Sequence, residues 1–587
     1  MVDNQNQRRV GRLGRSWLGL LVALGVVAGC AAPARPAANT APPAGAPSQP
    51  APPRESRTLN VAIRLEPVSV ATRPLQQVGV GLYLPKRTFN AEIAFLDDKG
   101  VTQPYLVEAL PELGTDSWRV LPDGKMQTTY RLRPNLTWHD GTPLVAEDFV
   151  FGWRVYATPG LGHTGLAPIT HMEEVIAPDP RTLTIRWRQA YPDVNFVTGT
   201  NIEFPPLPRH ILERHLAPDG LEAFANHPYW TREYVGTGPY KLDRWEPGTF
   251  LEGAAFDGHV LGRAKIERIK MMFMSDARSV LASILAGETH LTDGTSVGLP
   301  EVAVLKRLWV ATGKGSVLLH PNQWRAANFQ ARPDIAAPSA LQNRLVRKAL
   351  AHTVDRQPLN EALYDGDGIL SDSVVAPQSI WGPPAERGAV KYPHDPQRAD
   401  QLMREAGFAR GADGFYASPA EGRLTFEVKT NQGSDNESEV SIMASTWRQV
   451  GLDAQEAVLP AALAQNAQAR ATYVGMYTNS QNCCVSALLG LTTAAIGTPE
   501  NRWTGGNRGG WSNPEYDRLT EVFSRTLARG ESEQLVTQMV RLLTDDVQSI
   551  TLFIRAQAWT PVTELRGLTG APPEGNMSWN MQNWEIR

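Results

Sequence analysis

The sequence predicts a mixed α/β fold, and three observations predict it. Short runs of alternating apolar and polar residues recur between longer runs with helical spacing, turn dipeptides separate the two kinds, and no internal repeat replaces the alternation. The chain has 587 residues, so the part after its first 56 is long enough for two or three lobes with cores of their own. Residues 59–65 alternate as an opening strand that stops at Glu66-Pro67. Residues 127–133 place Thr129, Arg131 and Arg133 on one face and Tyr130 and Leu132 on the other, as in a half-buried strand. Pro134-Asn135 and Asp140-Gly141 are turn signals. Thr142-Pro143 then opens a helix on which Val145, Phe149 and Trp153, four residues apart, share an apolar face. Further amphipathic helices read over 282–288, 343–354, 396–407, 437–450 and 514–528, and strands over 423–429 and 452–459. Gly407 and Gly451 suit left-handed C-caps.

The first thirty residues speak to location. Arg8, Arg9, Arg12 and Arg15 form a basic stretch, and an apolar run follows from Trp17 to Ala28. A positive region before about a dozen apolar residues describes an export signal, too short for a spanning helix. It closes on Val27-Ala28-Gly29-Cys30, which resembles a bacterial lipobox and marks Cys30 for lipidation. A soluble secreted protein with an accidental Cys30 is the plainer alternative. The Arg8-Arg9 pair is weak evidence for twin-arginine export, because the apolar residues that should follow closely are poor. Residues 31–56 are mostly alanine and proline; such a segment buries too little to offset its ordering entropy and reads as a tether. The expectation is an extracytoplasmic protein, lipid-anchored to the cell membrane.

Charge and cysteine usage exclude several classes. The formal charge is −3 from 57 basic and 60 acidic residues, and removing the signal's four arginines and Asp3 leaves −6. No Lys/Arg stripe offers a footprint for nucleic acid. After Cys30 only Cys483 and Cys484 remain, which is no disulfide framework; two free or buried thiols are expected, since adjacent cysteines bridge only through a strained ring. No metal ligand set and no cofactor motif are evident.

The run Tyr130-Arg-Leu-Arg-Pro-Asn-Leu-Thr-Trp138-His-Asp140-Gly141-Thr-Pro143-Leu-Val-Ala146-Glu-Asp148-Phe-Val-Phe-Gly-Trp153 resembles the signature of the bacterial extracellular solute-binding proteins of family 5, the peptide/nickel group of ABC importer receptors. Similar matches follow in order: Gly236-Thr-Gly-Pro-Tyr240, Ala286-Gly-Glu288, the stretch from Arg344 to Arg356, Asp395 through Gly407, Trp447 to Leu452, and Asn513 to Leu519. The resemblance implies a periplasmic-binding-protein-like fold of the class II or cluster C type, with two main lobes closing on a hinge and an extra inserted domain. It implies a signal peptide over 1–29, a tether over 30–56, domain I in three pieces (57–94, 205–316 and 553–587), domain II over 95–204 and domain III over 317–552. The implied function is capture of a peptide or other small solute for ABC permease subunits by a monomeric receptor that catalyses nothing. Trp138, Pro143, Phe149 and Trp153 read as packing residues, Arg347, Asp355 and Arg356 as capping and surface ion-pair residues of one helix, and 236–240 as a tight turn.

In peptide-binding relatives an acidic residue of domain III meets the peptide α-amine. The corresponding segment here, 473–484, holds no aspartate or glutamate. A buried ammonium without a paired charge is costly, so ordinary amine recognition is in doubt. Tyr477, Asn479, Gln481, Asn482 and Cys483 are the expected ligand contacts, suited to a neutral, polyhydroxylated or amide-rich solute, or else form a polar loop beside the cleft. Trp324, Trp381 and Trp503 are stacking candidates and equally core candidates. No nucleophile elbow, zinc helix or phosphate loop is present, and His210, Glu213 and His215 read as surface residues. A secreted hydrolase with paired carboxylates, or an envelope adhesin or chaperone on the same fold, is the alternative.

Overall fold

The structure is a computed structural model, described over residues 57–72, 75, 83–161, 168–195, 204–464, 466–503 and 505–587, with backbone alone at 434 and 461. The signal, Cys30 and the tether lie outside the described residues.

Three sheets organise the chain. The opening strand Thr58–Ile63 runs parallel to both Arg268–Phe273 and Leu291–Thr292, and the antiparallel strands Phe250–Ala255 and Tyr240–Glu246 extend the sheet. A four-stranded antiparallel sheet lies between those pieces in sequence, in the order Trp118–Val120, Met126–Arg131, Thr182–Trp187, Met172–Asp179. In Met126–Arg131, Met126, Thr128 and Tyr130 are buried while Gln127 and Thr129 are half-covered and Arg131 is exposed, which is the expected alternation. The third sheet has the order Asp453–Leu459, Thr425–Asn431, Met476–Asn482, Leu318–Phe329, Ser549–Trp559. One core joins the first two sheets and takes in Trp559, Met581 and Trp584 from the C-terminal end. Two further cores cover the opposite faces of the third sheet, one around Val346, Trp447 and Phe553 and the other around Trp324, Leu488 and Met539. This is an α/β fold of two main lobes with an inserted domain.

Helix ends follow their capping chemistry. Asn343, Asp395 and Asn513 cap Arg344–Thr353, Pro396–Glu405 and Pro514–Phe523 with side-chain oxygens. Gly287, Gly407 and Gly451 adopt φ of 79°, 88° and 82° just past helix ends.

Four local expectations need correction. The signature helix is Ala146–Tyr156, beginning after Pro143, because Trp138 N–H donates to Thr142 C=O and Leu144 N–H to Leu136 C=O, which holds 142–144 extended against 136–138; Pro143 is exposed rather than packed. The helix from Pro514 ends at Phe523, and a second one, Arg529–Asp545, follows it. Asp355 caps a separate helix, Arg356–Tyr364, so Arg347 and Arg356 sit on different helices. Neither arginine is a surface ion-pair residue: Arg347 holds the Asp546 carbonyl and carboxylate, and Arg356 reaches Asp372, in partly buried settings. Around 236–240 glycine serves close approach rather than a turn angle: a Cβ on Gly238 would lie 2.3 Å from Asn90 N, and the Gly238 N–H donates to Phe89 C=O.

Candidate functional site

The strand Met476–Asn482 is the centre of the site. Its partner Leu318–Phe329 pairs Trp324 with Gln481, Ala326 with Asn479 and Asn328 with Tyr477, so these six residues share one face. On the opposite face Arg325 and Thr478 lie against the helix Ser434–Gln449, and the Arg325 guanidinium meets the fully buried Glu439 carboxylate at 2.7 Å. The other neighbour, Thr425–Asn431, pairs only at Val428↔Met476 and Lys429↔Tyr477. Among the described residues no strand pairs its backbone with the second edge beyond Tyr477, although Thr430 still meets Thr478 side chain to side chain at 2.9 Å. Such an edge presents unpaired backbone groups to an extended chain.

Hydrogen bonding fixes most of the shared face. Tyr477 Oη donates to Asn431 Oδ1 at 2.7 Å, and Asn328 Nδ2 donates to Asn479 Oδ1 at 3.0 Å. Asn479 is buried, yet its Nδ2 has no partner. The face therefore carries a buried N–H donor without a partner. Tyr473 stands beside Tyr477 with ring centroids 5.4 Å apart and donates to Phe329 C=O.

The other expected contacts divide into three places. Trp324 is 1% exposed and packs with Val374, Val375, Cys483 and Cys484 in the core of this face. Trp381 joins the same core, with Phe523 edge-on and the Arg529 guanidinium 3.7 Å from its ring centroid; its Nε1 is buried without a partner. Trp503, half-buried with φ of 62°, lies 6.0 Å from the Arg332 guanidinium. Gln481 is half-buried and Asn482 exposed, with Asn482 paired to Gln323 across the strand from Asn479's face. Cys483 and Cys484 are both buried and are joined to each other as a vicinal disulfide, not left as two thiols. Their peptide N–H groups donate to Asn322 and Val374 carbonyls, which bring the two sulfurs to one place at the end of the strand.

Sequence reading missed the arginines of this region. Arg332 donates to the carbonyls of Ala471, Gly497 and Arg508 and so ties three loops together. Arg508 sits in the run Gly505-Gly-Asn-Arg-Gly-Gly510, where a Cβ on Gly505 would fall 1.8 Å from Ala495 C=O and one on Gly509 2.5 Å from Phe329 C=O. Those glycines press the Arg508 loop onto the sheet, and such a run flanking one charge was the available signal. Burial, with the charge of Arg470, pushes Arg508 down to about 10. A cavity of about 490 Å³ opens nearby, lined by Gln330, Arg332, Arg347, Trp511 and Asp546 among others, and none of the eight expected contact residues lines it.

No described group of three or more His, Cys, Asp or Glu side chains is placed to hold a metal ion, and no described helix is long and apolar enough to cross a membrane. Among proteins of known identity, the oligopeptide-binding protein AppA of Bacillus subtilis is 22% identical over 365 residues, 62% of each chain. The chain thus spans about three fifths of the length of that relative. In solved structures it is similar to NikZ of Campylobacter jejuni in complex with Ni(L-His) (TM-score 0.70, 18% identity, 90% of this chain and 99% of that one). It is also similar to the oligopeptide-binding protein of Thermus thermophilus complexed with a pentapeptide (TM-score 0.67, 20% identity, 91% and 96%). Residues 108–482, more than half of the chain and spanning the inserted sheet through the central strand of the site, match the family described as Bacterial extracellular solute-binding proteins, family 5 Middle, and the chain belongs to that family.

Proposed function

We propose that this protein is a membrane-anchored receptor that captures a peptide or other small solute outside the cytoplasm by lobe closure and delivers it to ABC permease subunits. Family membership over residues 108–482 is the observation that carries the reading. The site supports it: one sheet face carries an unpartnered buried donor, and the strand beside it has an open edge. The solute meets Asn479 and Tyr477 from that face, with Gln481 and Trp503 beside them; Trp324, Trp381 and Cys483 back the face from the core, and Asn482 points to the other side. The domain division is taken at 94/95, 204/205, 316/317 and 552/553, of which the first and last fall inside the strands Ala94–Leu96 and Ser549–Trp559, and the two long paired strands Leu318–Phe329 and Ser549–Trp559 are the crossings on which the lobes turn. The chain acts as a monomer held by lipid on Cys30, the 30–56 tether gives it reach, and it leaves its ligand chemically unchanged.

The test is native mass spectrometry on protein purified from its own host, followed by incubation with peptide and oligosaccharide mixtures. A retained solute returned intact is the expected result. Recovery of cleaved products points to a hydrolase and overturns the reading.

A further inference from the structure

Arg508 and Arg470 are half-buried arginines without partners. One Nη of Arg508 and the Nε of Arg470 are shut off from solvent, and neither atom has a hydrogen-bond partner. One Nη of Arg332 donates to both the Ala471 and the Arg508 carbonyls, which brings the Arg470 and Arg508 segments side by side; the charge of Arg470 opposes that of Arg508, and Tyr477 and Tyr473 favour it. Neither arginine forms an ion pair with a described residue.

The surrounding charges do not compensate. Lys429 takes the Glu427 carboxylate at 3.1 Å on the same sheet, and exposed Asp334 acts on Arg332. Arg332 itself is occupied by carbonyls. Alongside, Asn479 Nδ2 adds a third unpartnered buried N–H. A buried guanidinium with neither counter-ion nor acceptor is costly, and its planar fork matches carboxylate and phosphate oxygens in pairs. An anion placed between two such groups relieves their mutual repulsion and supplies the missing acceptors in one step.

We propose that Arg508 and Arg470 form an anion subsite on the Tyr473–Tyr477 side of this face, taking a carboxylate or phosphate group of the captured solute. The inference rests on the receptor reading and narrows it to solutes that carry an anionic group.

Calorimetry at fixed ionic strength tests it with three probes: inorganic phosphate, N-acetyl-tetraalanine with a free carboxylate, and the amide of the same peptide. At least one anion should bind the wild-type chain more tightly than the amide does. Arg508→Gln and Arg470→Gln should each weaken that binding about tenfold or more, with Arg525→Gln, an exposed residue paired to Glu521, as the control. Which anion responds separates carboxylate from phosphate. Because Arg508 has no partner, its glutamine variant should unfold at the wild-type temperature or above it without ligand, which loss of a structural ion pair would not allow. If that variant does not fold, Arg508→Lys keeps the charge without the fork and should still weaken binding of the responding anion. The proposal falls if neither anion binds better than the amide, or if the variants bind anions like the wild type. If the amide binds as tightly as the acid and the variants bind both like the wild type, the receptor reading stands while the subsite falls. If no probe binds, the subsite falls and the retained solute in native mass spectrometry decides the receptor reading separately.

Discussion

Asp148 shows what single residues do in the signature. Its carboxylate accepts from Trp138 Nε1 at 3.1 Å, Val145 N–H at 3.0 Å and Arg209 N–H at 3.1 Å, and so joins a turn, a helix start and a distant loop. Burial pushes its pKa up against those three donors. Asp148→Ala strands all three and should cost about 3 kcal/mol in the first denaturant-induced transition. Asp293 gives a pH-dependent case. Burial raises it from 3.8 to about 6, although Thr295 and Ser296 donate to it. A carboxyl raised on folding stabilises the fold fully below its unfolded pKa near 4, and this contribution is lost as pH rises through about 6. Asp293→Asn stays neutral, so its stability relative to wild type should improve between pH 4.5 and pH 7.5, by up to about 3 kcal/mol in thermal unfolding. At the binding face, Asn479→Ala removes the buried free amide and should weaken solute binding roughly five- to a hundred-fold by calorimetry. The sequence placed Trp138 and Phe149 in the core, as found, because large apolar side chains beside turn residues have few alternatives. It did not expose the role of Asp148, whose third donor comes from a residue remote in sequence.

At the level of elements, helix spacing read well where caps agreed with it. Ser434–Gln449 buries Val440, Met443, Ala444 and Trp447 as a periodic stripe, and Gly451 follows its end. The same helix also carries fully buried Glu439, which pairs with Arg325 of the central sheet. No local pattern marks a charge for burial, since its partner lies 114 residues away. Glu439→Gln should destabilise by about 3–5 kcal/mol, because Arg325 is then left buried against a neutral group. Arg325→Met with Glu439→Leu should recover most of that loss, and equilibrium denaturation of the single and the double variant checks both. Loops were harder to read than helices. The 236–240 segment reads as a turn locally, but backbone contact with Phe89 and Asn90 sets its glycines.

For the whole molecule, the proposed lobe closure is the property to test. Closure is a population shift, so a ligand contacting both lobes should give a more compact scattering profile, and an unchanged profile at saturation counts against it. Anchoring belongs to this scale as well: Cys30→Ser should release the protein to the soluble fraction or leave an uncleaved precursor in membrane fractionation. The proposal gives the hold to acyl chains on Cys30, so unchanged membrane retention with normal processing contradicts it.

The sequence by itself determined the α/β class, the glycine caps at 407 and 451 and the family. All of these rest on short-range periodicity and on motifs read along the chain. Only the tertiary structure decided that Thr58–Ile63 lies beside Arg268–Phe273, that Met476–Asn482 keeps an open edge, and that Arg470 and Arg508 meet without a carboxylate. Strand edges and charge neutralisation depend on which distant segments become neighbours. Spacing along one chain carries no record of that choice, because the free energy that makes it comes from burying the segments together.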